Sequence, residues 1–159
     1  MTDPYGTRYT YDAGDLKYMQ LAIEQAQLSI PAPKAYCVGA VLVLNDTILS
    51  VGYSREIPGN THAEECALAK LTDPTMDLQE AIMYTTMEPC SVRLSGNVPC
   101  VTRILEAKIK RVVVGVREPP NLVSCEGIKL LERQGVDVLI VPHVQEDCLR
   151  PNQHILKQQ

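Results

Sequence analysis

The stretch Thr61-His62-Ala63-Glu64 sets the organisation of this chain, together with Met87-Glu88-Pro89-Cys90 and Pro99-Cys100 further along. Imidazole nitrogen and thiolate sulfur are common zinc ligands, and a catalytic zinc site uses three protein ligands and keeps a fourth position open. His62, Cys90 and Cys100 supply three such ligands, and Glu64 remains beside them as an unligated carboxylate. The sequence therefore predicts an open site for zinc (Zn2+) with a base next to it.

The length and composition of the chain fit one globular domain. A chain of 159 residues buries about two thirds of its unfolded surface, so it needs no metal merely to fold. Its 45% hydrophobic and 21% charged residues are ordinary for such a domain and do not indicate a collagen-like, disordered or disulfide-scaffold protein. We therefore expect a single domain over residues 1–159, with an N-terminal arm at 1–14 and a C-terminal tail at 142–159.

Neither a membrane nor a nucleic acid is an expected partner. The longest apolar run, Cys37 to Leu44, is far shorter than the roughly 18 residues of a membrane span. The segment Met1 to Lys17 lacks the basic start and apolar centre of a signal peptide, so we expect a cytoplasmic protein, with the nucleus as an alternative. The net charge of −4 and the pI near 5.4 argue against a polyanion partner, because Lys and Arg make most phosphate contacts. This charge does not exclude a small phosphorylated substrate held by one or two cations.

Six cysteines occur in the sequence, at positions 37, 66, 90, 100, 125 and 148. In a reducing compartment, and in a chain with a full-sized core, they are expected to be thiols or metal ligands rather than three disulfides. We predict that Cys37, Cys66 and Cys125 are small core residues.

The hydrophobic periodicity predicts an α/β fold. Apolar residues from Leu16 to Ile30 recur every three or four positions, which indicates an amphipathic helix that begins at Asp12 or Asp15 and ends before Pro31. A β-hairpin follows, and then three strands alternate with helices. The predicted strands are Cys37–Leu44, Thr47–Tyr53, Ala81–Thr86, Arg111–Val116 and Val136–Val141, and the later helices are Thr61–Leu71, Cys100–Ile109 and Ser124–Gln134. This order predicts a three-layer α-β-α sandwich around a five-stranded mixed sheet, with the fourth and fifth strands parallel.

The candidate site residues are expected to meet at helix ends. Successive helical residues turn by about 100°, so His62 and Glu64 can converge only from the first turn of their helix, off its N-terminal end. Cys90 and Cys100 each follow a proline at the start of an element and would approach the same point from a neighbouring helix end. The ends of the strands would then form the floor of a pocket.

The predicted site is suited to hydrolytic deamination. Zinc lowers the pKa of a bound water from 15.7 toward about 7. We expect the resulting hydroxide to attack an electron-poor ring carbon, while Glu64 protonates the ring nitrogen and then the departing amine, so that ammonia leaves.

The motif resembles the cytidine-deaminase-like zinc superfamily, whose signature is His-x-Glu followed by Pro-Cys-x-x-Cys. Nine residues, 91 to 99, separate the two cysteines here instead of two. The longer form, from Glu88 to Cys100, is similar to the pyrimidine deaminases of riboflavin biosynthesis, above all the fungal ones. The similarity extends through Val38-Gly39-Ala40-Val41, Gly59-Asn60-Thr61-His62-Ala63-Glu64 and Arg117 to Gly127, and covers roughly residues 15 to 141.

This resemblance implies a substrate, an assembly and a set of contacts. The substrate would be 2,5-diamino-6-ribitylamino-4(3H)-pyrimidinone 5′-phosphate, and the enzyme would be a homodimer. The substrate contacts implied by position are Asn97, Glu118 and Asn121, and Asn60 is a further candidate contact. Arg55 and Arg93 are the nearest candidate partners for the phosphate by sequence.

Three other interpretations stay open. His62, Cys66, Cys90 and Cys100 could close a structural Cys₃His zinc site, because Cys66 lies four residues after His62 on one helix face. The chain could instead deaminate another base or nucleotide, such as cytosine, guanine, dCMP or a tRNA adenosine. A third interpretation is a catalytically silent, zinc-stabilised interaction module, against which the presence of Glu64 argues.

Overall fold

The computed structural model describes residues 11–73, 75–93, 96–119 and 126–156. The strands in these ranges are β1 (Gly39–Leu44), β2 (Thr47–Tyr53), β3 (Ile82–Met87), β4 (Arg111–Val116) and β5 (Asp137–Ile140). The helices are α1 (Ala13–Leu28), α2 (Ala63–Ala69), α3 (Cys100–Glu106), α4 (Gly127–Arg133), α5 (Gln145–Leu149) and α6 (Gln153–Leu156), with a 3₁₀ turn at Arg150–Asn152. None of the helices in these ranges combines the length and apolar character needed to cross a membrane.

The strands form one mixed sheet in the order β2-β1-β3-β4-β5. Strand β1 is antiparallel to both β2 and β3, whereas β3, β4 and β5 run parallel to one another. Helix α3 connects β3 to β4 and α4 connects β4 to β5, as parallel neighbours require. The predicted five-stranded mixed sheet with parallel fourth and fifth strands is confirmed.

Side chains that alternate along the strands build two cores, one on each face of the sheet. On β1, Ala40 and Leu42 face α2, α3 and α4, whereas Val41 and Val43 face α1 and α5. On β4, Val112 and Val114 lie in the first core and Val113 in the second. The central strands are apolar at every one of these positions because both faces are covered, and this confirms the three-layer sandwich.

Two glycines let helices lie directly against the sheet. A Cβ added at Gly39 would come within 1.9 Å of the Ala22 carbonyl oxygen on α1. A Cβ added at Gly52 would come within 2.4 Å of the Ala63 carbonyl oxygen on α2. These distances are below any van der Waals contact, so each helix packs at a depth that only glycine permits.

Helix α1 is held to the sheet by a buried carboxylate. Asp12 and Asp15 form a capping box, in which each side chain accepts the backbone N–H of the other residue. Asp15 also accepts hydrogen bonds from the Tyr84 hydroxyl at 2.7 Å and from Arg111 at 3.0 Å. Asp15, in the first turn of the helix, therefore takes part in its N-terminal cap and also fixes its position over β3 and β4.

The element boundaries differ from the sequence predictions by a few residues. Helix α1 ends at Leu28, because Ser29 is extended and bonds to Ser54, so the turn before Pro31 is not helical. Helix α2 has His62 rather than Thr61 at its N-cap. Strand β1 begins at Gly39, because the Cys37 N–H is bonded to a side chain of the C-terminal segment instead of a strand. Residues 1–10 of the predicted N-terminal arm and Cys125 lie outside the described residues.

The predicted C-terminal tail is folded onto the domain through Asn152. This side chain is fully buried, and its Oδ1 accepts the Cys37 N–H at 2.6 Å. Its Nδ2 donates to the carbonyl oxygens of Cys37 and Cys148 at 3.1 and 3.3 Å. Nearby, His154 Nε2 lies 2.9 Å from the Ala35 carbonyl oxygen. The segment after β5 therefore supplies hydrogen bonds to the backbone that leads into β1.

We expect Asn152→Ala to lower the free energy of unfolding by about 3 kcal/mol, because each buried backbone group left unpaired costs about 1–3 kcal/mol. The matched control is Gln153→Ala, which removes an exposed side chain with one long hydrogen bond, to Leu149 at 3.4 Å. Its expected effect is within about 0.5 kcal/mol. Urea unfolding followed by circular dichroism measures both, and equal effects would contradict the role assigned to Asn152.

Candidate metal centre and active site

One edge of the sheet brings together the segments that carry the predicted site. The start of β1 pairs with the end of β2 (Gly39 with Tyr53) and with the end of β3 (Ala40 with Thr85). The ends of β3 and β4 also lie side by side, at Met87 and Val116. The chain leaves this edge toward α2, Cys90 and Glu118, and the carboxyl edge of parallel strands is where α/β proteins place their sites.

The three predicted metal ligands converge at this edge. His62 Nδ1 lies 3.5 Å from Cys90 Sγ and 3.4 Å from Cys100 Sγ, and all three ligand atoms lie within 4.8 Å of one another. Bonds of about 2.0 Å to nitrogen and about 2.3 Å to sulfur, at a tetrahedral angle, place nitrogen and sulfur about 3.5 Å apart. One imidazole and two thiols in this arrangement fit zinc with one coordination position left over.

Local backbone structure sets the two cysteines side by side. Pro99 is the N-cap of α3 and Cys100 its first residue. The Cys100 N–H donates to Cys90 Sγ at 3.2 Å, and the Val101 N–H donates to the Cys90 carbonyl oxygen at 3.2 Å. The N–H groups in the first turn of α3 have no partner inside the helix, and two of them hold Cys90 in place beside Cys100.

The two thiols differ in proton affinity. A hydrogen bond from Cys100, with hydrogen bonding and charge from His62, lowers the pKa of Cys90 to about 4 although burial opposes the change. The same hydrogen bond, burial and the charge of Glu64 raise the pKa of Cys100. The protein alone thus favours one thiolate and one thiol, and a bound divalent cation favours loss of the second proton.

Glu64, the second residue of α2, is buried beside the ligands with 3% of its surface exposed. Burial raises its pKa and the negative charge of Cys90 raises it further, while His62 and a hydrogen bond with Cys100 act in the opposite direction. Glu64 Oε1 lies 3.4 Å from the Thr85 hydroxyl oxygen. A carboxyl group of raised pKa next to a metal centre is suited to accept a proton and return it.

Cys66 does not belong to the ligand group. Among the residues that the structure describes, the only set of three or more side chains with ligand atoms close enough for one metal ion is His62, Cys90 and Cys100. Cys66 is fully buried, and its Cβ packs near the backbone of Gly52. This placement fits its predicted role as a small core residue and gives no support to a closed Cys₃His site.

The predicted substrate contacts are distributed around the centre. Asn60 and Asn97 are exposed, on the segments that lead into His62 and Cys100. Glu118 is half-buried after β4, and its N–H donates to Glu88 Oε1 at 3.2 Å. Asn121 lies outside the described residues. Their contacts with a substrate stay predictions.

The two candidate phosphate partners are both engaged by the protein. Arg55 donates to the carbonyl oxygens of Tyr36 and Ile30, at 3.2 and 3.0 Å, and to Ser29 Oγ at 3.0 Å. Arg93 is buried and pairs with Glu65 at 3.0 Å. Both guanidinium groups hold loops together, and their predicted role in phosphate binding is not tested by these contacts.

Three residues near the centre have roles that the sequence reasoning missed. Glu65 accepts the His62 N–H at 3.1 Å. A Glu three residues after a helix N-cap is the sequence signal for this capping bond. Burial raises the pKa of Glu65, but this hydrogen bond and the two arginines beside the carboxylate lower it by more, so the pKa lies below its ordinary value.

Glu88 accepts the N–H of Ile128 at 3.0 Å as well as that of Glu118. Thr85 contacts Glu64, and neither Thr85 nor Glu88 has a local sequence signal because their partners are distant in the chain.

Comparison with known proteins identifies the family. Residues 13–116 match the model of the cytidine and deoxycytidylate deaminase zinc-binding region. The diaminohydroxyphosphoribosylamino-pyrimidine deaminase of Schizosaccharomyces pombe is 52% identical over 136 residues, which are 84% of this chain and 34% of that protein. The chain spans about a third of the length of the first curated relatives that it matches.

Solved structures agree with this match. The Rib2 deaminase of Aspergillus oryzae, a C-terminal deletion mutant at pH 4.6, is 33% identical with a TM-score of 0.79, over 87% of this chain and 90% of that one. Its complex with DARIPP aligns with a TM-score of 0.78 at 30% identity, over 92% and 100% of the two chains. The predicted resemblance is confirmed, and so is zinc as the cofactor for which the ligands are arranged. The chain belongs to the cytidine and deoxycytidylate deaminase zinc-binding family.

Proposed function

We propose that the chain is a zinc-dependent hydrolase that deaminates 2,5-diamino-6-ribitylamino-4(3H)-pyrimidinone 5′-phosphate in riboflavin biosynthesis. The observation that carries the proposal is the buried carboxyl group of Glu64 beside a three-ligand metal centre. The name of the S. pombe relative and the DARIPP complex of the A. oryzae deaminase support a small phosphorylated pyrimidine as substrate.

Zinc, when bound to His62, Cys90 and Cys100, supplies the Lewis acidity that makes water nucleophilic near neutral pH. The Glu64 carboxylate would accept a proton from the attacking water and give it to the ring nitrogen, and would then move the proton of the added hydroxyl group to the departing amine. The ring carbon loses its exocyclic C–N bond and gains a C–O bond: the oxygen of water becomes the new carbonyl oxygen, and the amino group leaves as ammonia. Burial raises the pKa of Glu64, which favours the protonated form of the carboxyl group that these transfers require.

The substrate would lie over the edge of the sheet described above. We assign its contacts to Asn60, Asn97, Glu118 and Asn121, of which the resemblance implies the last three by position. The first two lie on the approaches to two metal ligands, and Glu118 follows β4 at the same edge. We further propose a homodimer in the cytoplasm. The five cysteines in the described ranges are free, which agrees with a reducing compartment.

We expect Glu64→Gln to lower kcat at least about 100-fold, because general acid–base groups contribute about 10²–10⁴-fold. The variant keeps the volume of the side chain and all three zinc ligands, so its zinc content should stay at the wild-type value. Ammonia release and elemental analysis of the same samples measure the two quantities. The control is Glu24→Gln, an exposed position on α1. Full activity in Glu64→Gln would refute the proposed mechanism.

The zinc content of two cysteine variants should distinguish the open three-ligand site from a closed Cys₃His site. We expect Cys100→Ser to lose most of its zinc after dialysis against a mild chelator, because one of three protein ligands is weakened. Cys66→Ser should keep one zinc ion per chain, since Cys66 lies outside the ligand group. Metal loss in Cys66→Ser alone would instead support the Cys₃His site.

A substrate panel tests the proposed chemistry more finely. The riboflavin intermediate, cytidine, dCMP, guanine and adenosine are compared by ammonia release at equal concentrations. We expect the riboflavin intermediate to be the preferred substrate, with kcat/KM at least about 100-fold above the others, since unmatched polar groups in a buried site disfavour analogues strongly. Turnover of none of the five would favour the silent interaction module.

A further inference from the structure

The segment between the two cysteines carries a buried arginine that the deamination chemistry does not use. The Arg93 side chain is 2% exposed. Burying a guanidinium group is costly unless its charge is paired and its N–H groups find acceptors. The protein groups that accept hydrogen bonds from Arg93 therefore show which parts of the chain this side chain holds together.

Arg93 holds the backbone on the approach to two of the three metal ligands. Its Nη2 donates to the Asn60 carbonyl oxygen, two residues before His62. Its Nη1 donates to the Val98 carbonyl oxygen at 3.1 Å, two residues before Cys100. A planar guanidinium group has a rigid fork of donors, so it sets the separation of these two segments more narrowly than a single-point contact does.

Glu65 completes the connection. Its Oε1 accepts both the Arg93 Nη1 hydrogen bond at 3.0 Å and the His62 backbone N–H at 3.1 Å. Its Oε2 pairs with Arg103 on α3 at 3.1 Å. One ion pair thus joins the N-cap of α2, which is His62, to the segment that ends at Cys100.

We propose that Glu65 and Arg93 form a positioning clamp that holds His62 and Cys100 at coordination distance, so that the site is preformed before zinc binds. The clamp acts on the zinc site on which the proposed function rests, and it does not depend on the identity of the substrate. Arg93 is then a positioning residue, not a phosphate contact. Its guanidinium group is paired with Glu65, and its side chain is only 2% exposed, which leaves little surface for a ligand from solvent.

Zinc affinity is the property that the clamp controls. Loss of groups that orient metal ligands typically costs about 10–100-fold in metal affinity. We expect Arg93→Gln to weaken zinc binding within this range, and Arg93→Lys, which keeps the charge but loses the fork, to have an intermediate effect. The matched control is Arg103→Gln. Arg103 also pairs with Glu65, but among the described contacts it reaches neither the Asn60 nor the Val98 carbonyl oxygen.

The experiment is a competition between the full chain and a chromophoric zinc chelator, with urea unfolding of the metal-free proteins in parallel. Arg103→Gln should stay within about threefold of the wild-type zinc affinity, since it leaves the fork intact. If Arg93→Gln does not fold, Glu65→Gln decides, because it breaks the same ion pair at nearly constant volume. Combining Arg93→Gln with Glu65→Gln should weaken zinc binding by less than the product of the single effects, since the two residues act as one unit.

Two results would overturn the proposal. The first is wild-type zinc affinity in folded Arg93→Gln and Glu65→Gln, with or without a loss of stability, because a general packing role predicts this pattern. The second is unchanged zinc affinity with a raised KM for the phosphorylated substrate in Arg93→Gln, because a phosphate contact predicts that outcome. The chelator measurement needs no substrate, so failure of the proposed substrate assignment leaves this test intact.

Discussion

The convergence of His62, Cys90 and Cys100 on one point is the constraint on which the rest of this structure depends. His62 and Cys100 are 38 residues apart in sequence, yet three separate segments bring the three ligand atoms to within 4.8 Å of one another. Bringing distant segments together costs conformational entropy, which the folded sheet must offset. The parallel strands do so by ending at one edge, and the short helices that follow turn their first residues back toward it.

The general fold follows from patterns that act over short distances. Alternation and runs of β-branched residues mark strands such as Arg111–Val116, whose bounds agree with the sequence prediction. The strand order is a different kind of information, because it depends on which apolar faces pack together after collapse. Errors in the predicted ends of helices and strands also come from contacts between residues that are distant in sequence. The Cys37 N–H bonds to Asn152, 115 residues away, and no local pattern carries that partnership.

The metal ligands and Glu64 could be predicted because their chemistry is specific. Few arrangements other than a zinc site use one imidazole, two thiols and a nearby carboxylate at these spacings. Arginine carries no comparable signal, since the same side chain serves phosphate binding, ion pairs and loop closure. Arg55 and Arg93 are both cations near the site by sequence, yet their donors reach backbone carbonyl oxygens of the protein itself. Glu88 and Thr85 were missed because only the tertiary fold brings them beside their partners.

The contact between Gly52 and α2 links the hairpin to the position of the candidate site. At Gly52 no side chain separates this strand from the helix that begins next to His62 and includes Glu64. A methyl group there would lie 2.4 Å from the Ala63 carbonyl oxygen, so the strand and the helix would have to move apart next to His62 and Glu64. The geometry of the site thus depends on a strand that contains none of the predicted zinc ligands or substrate contacts.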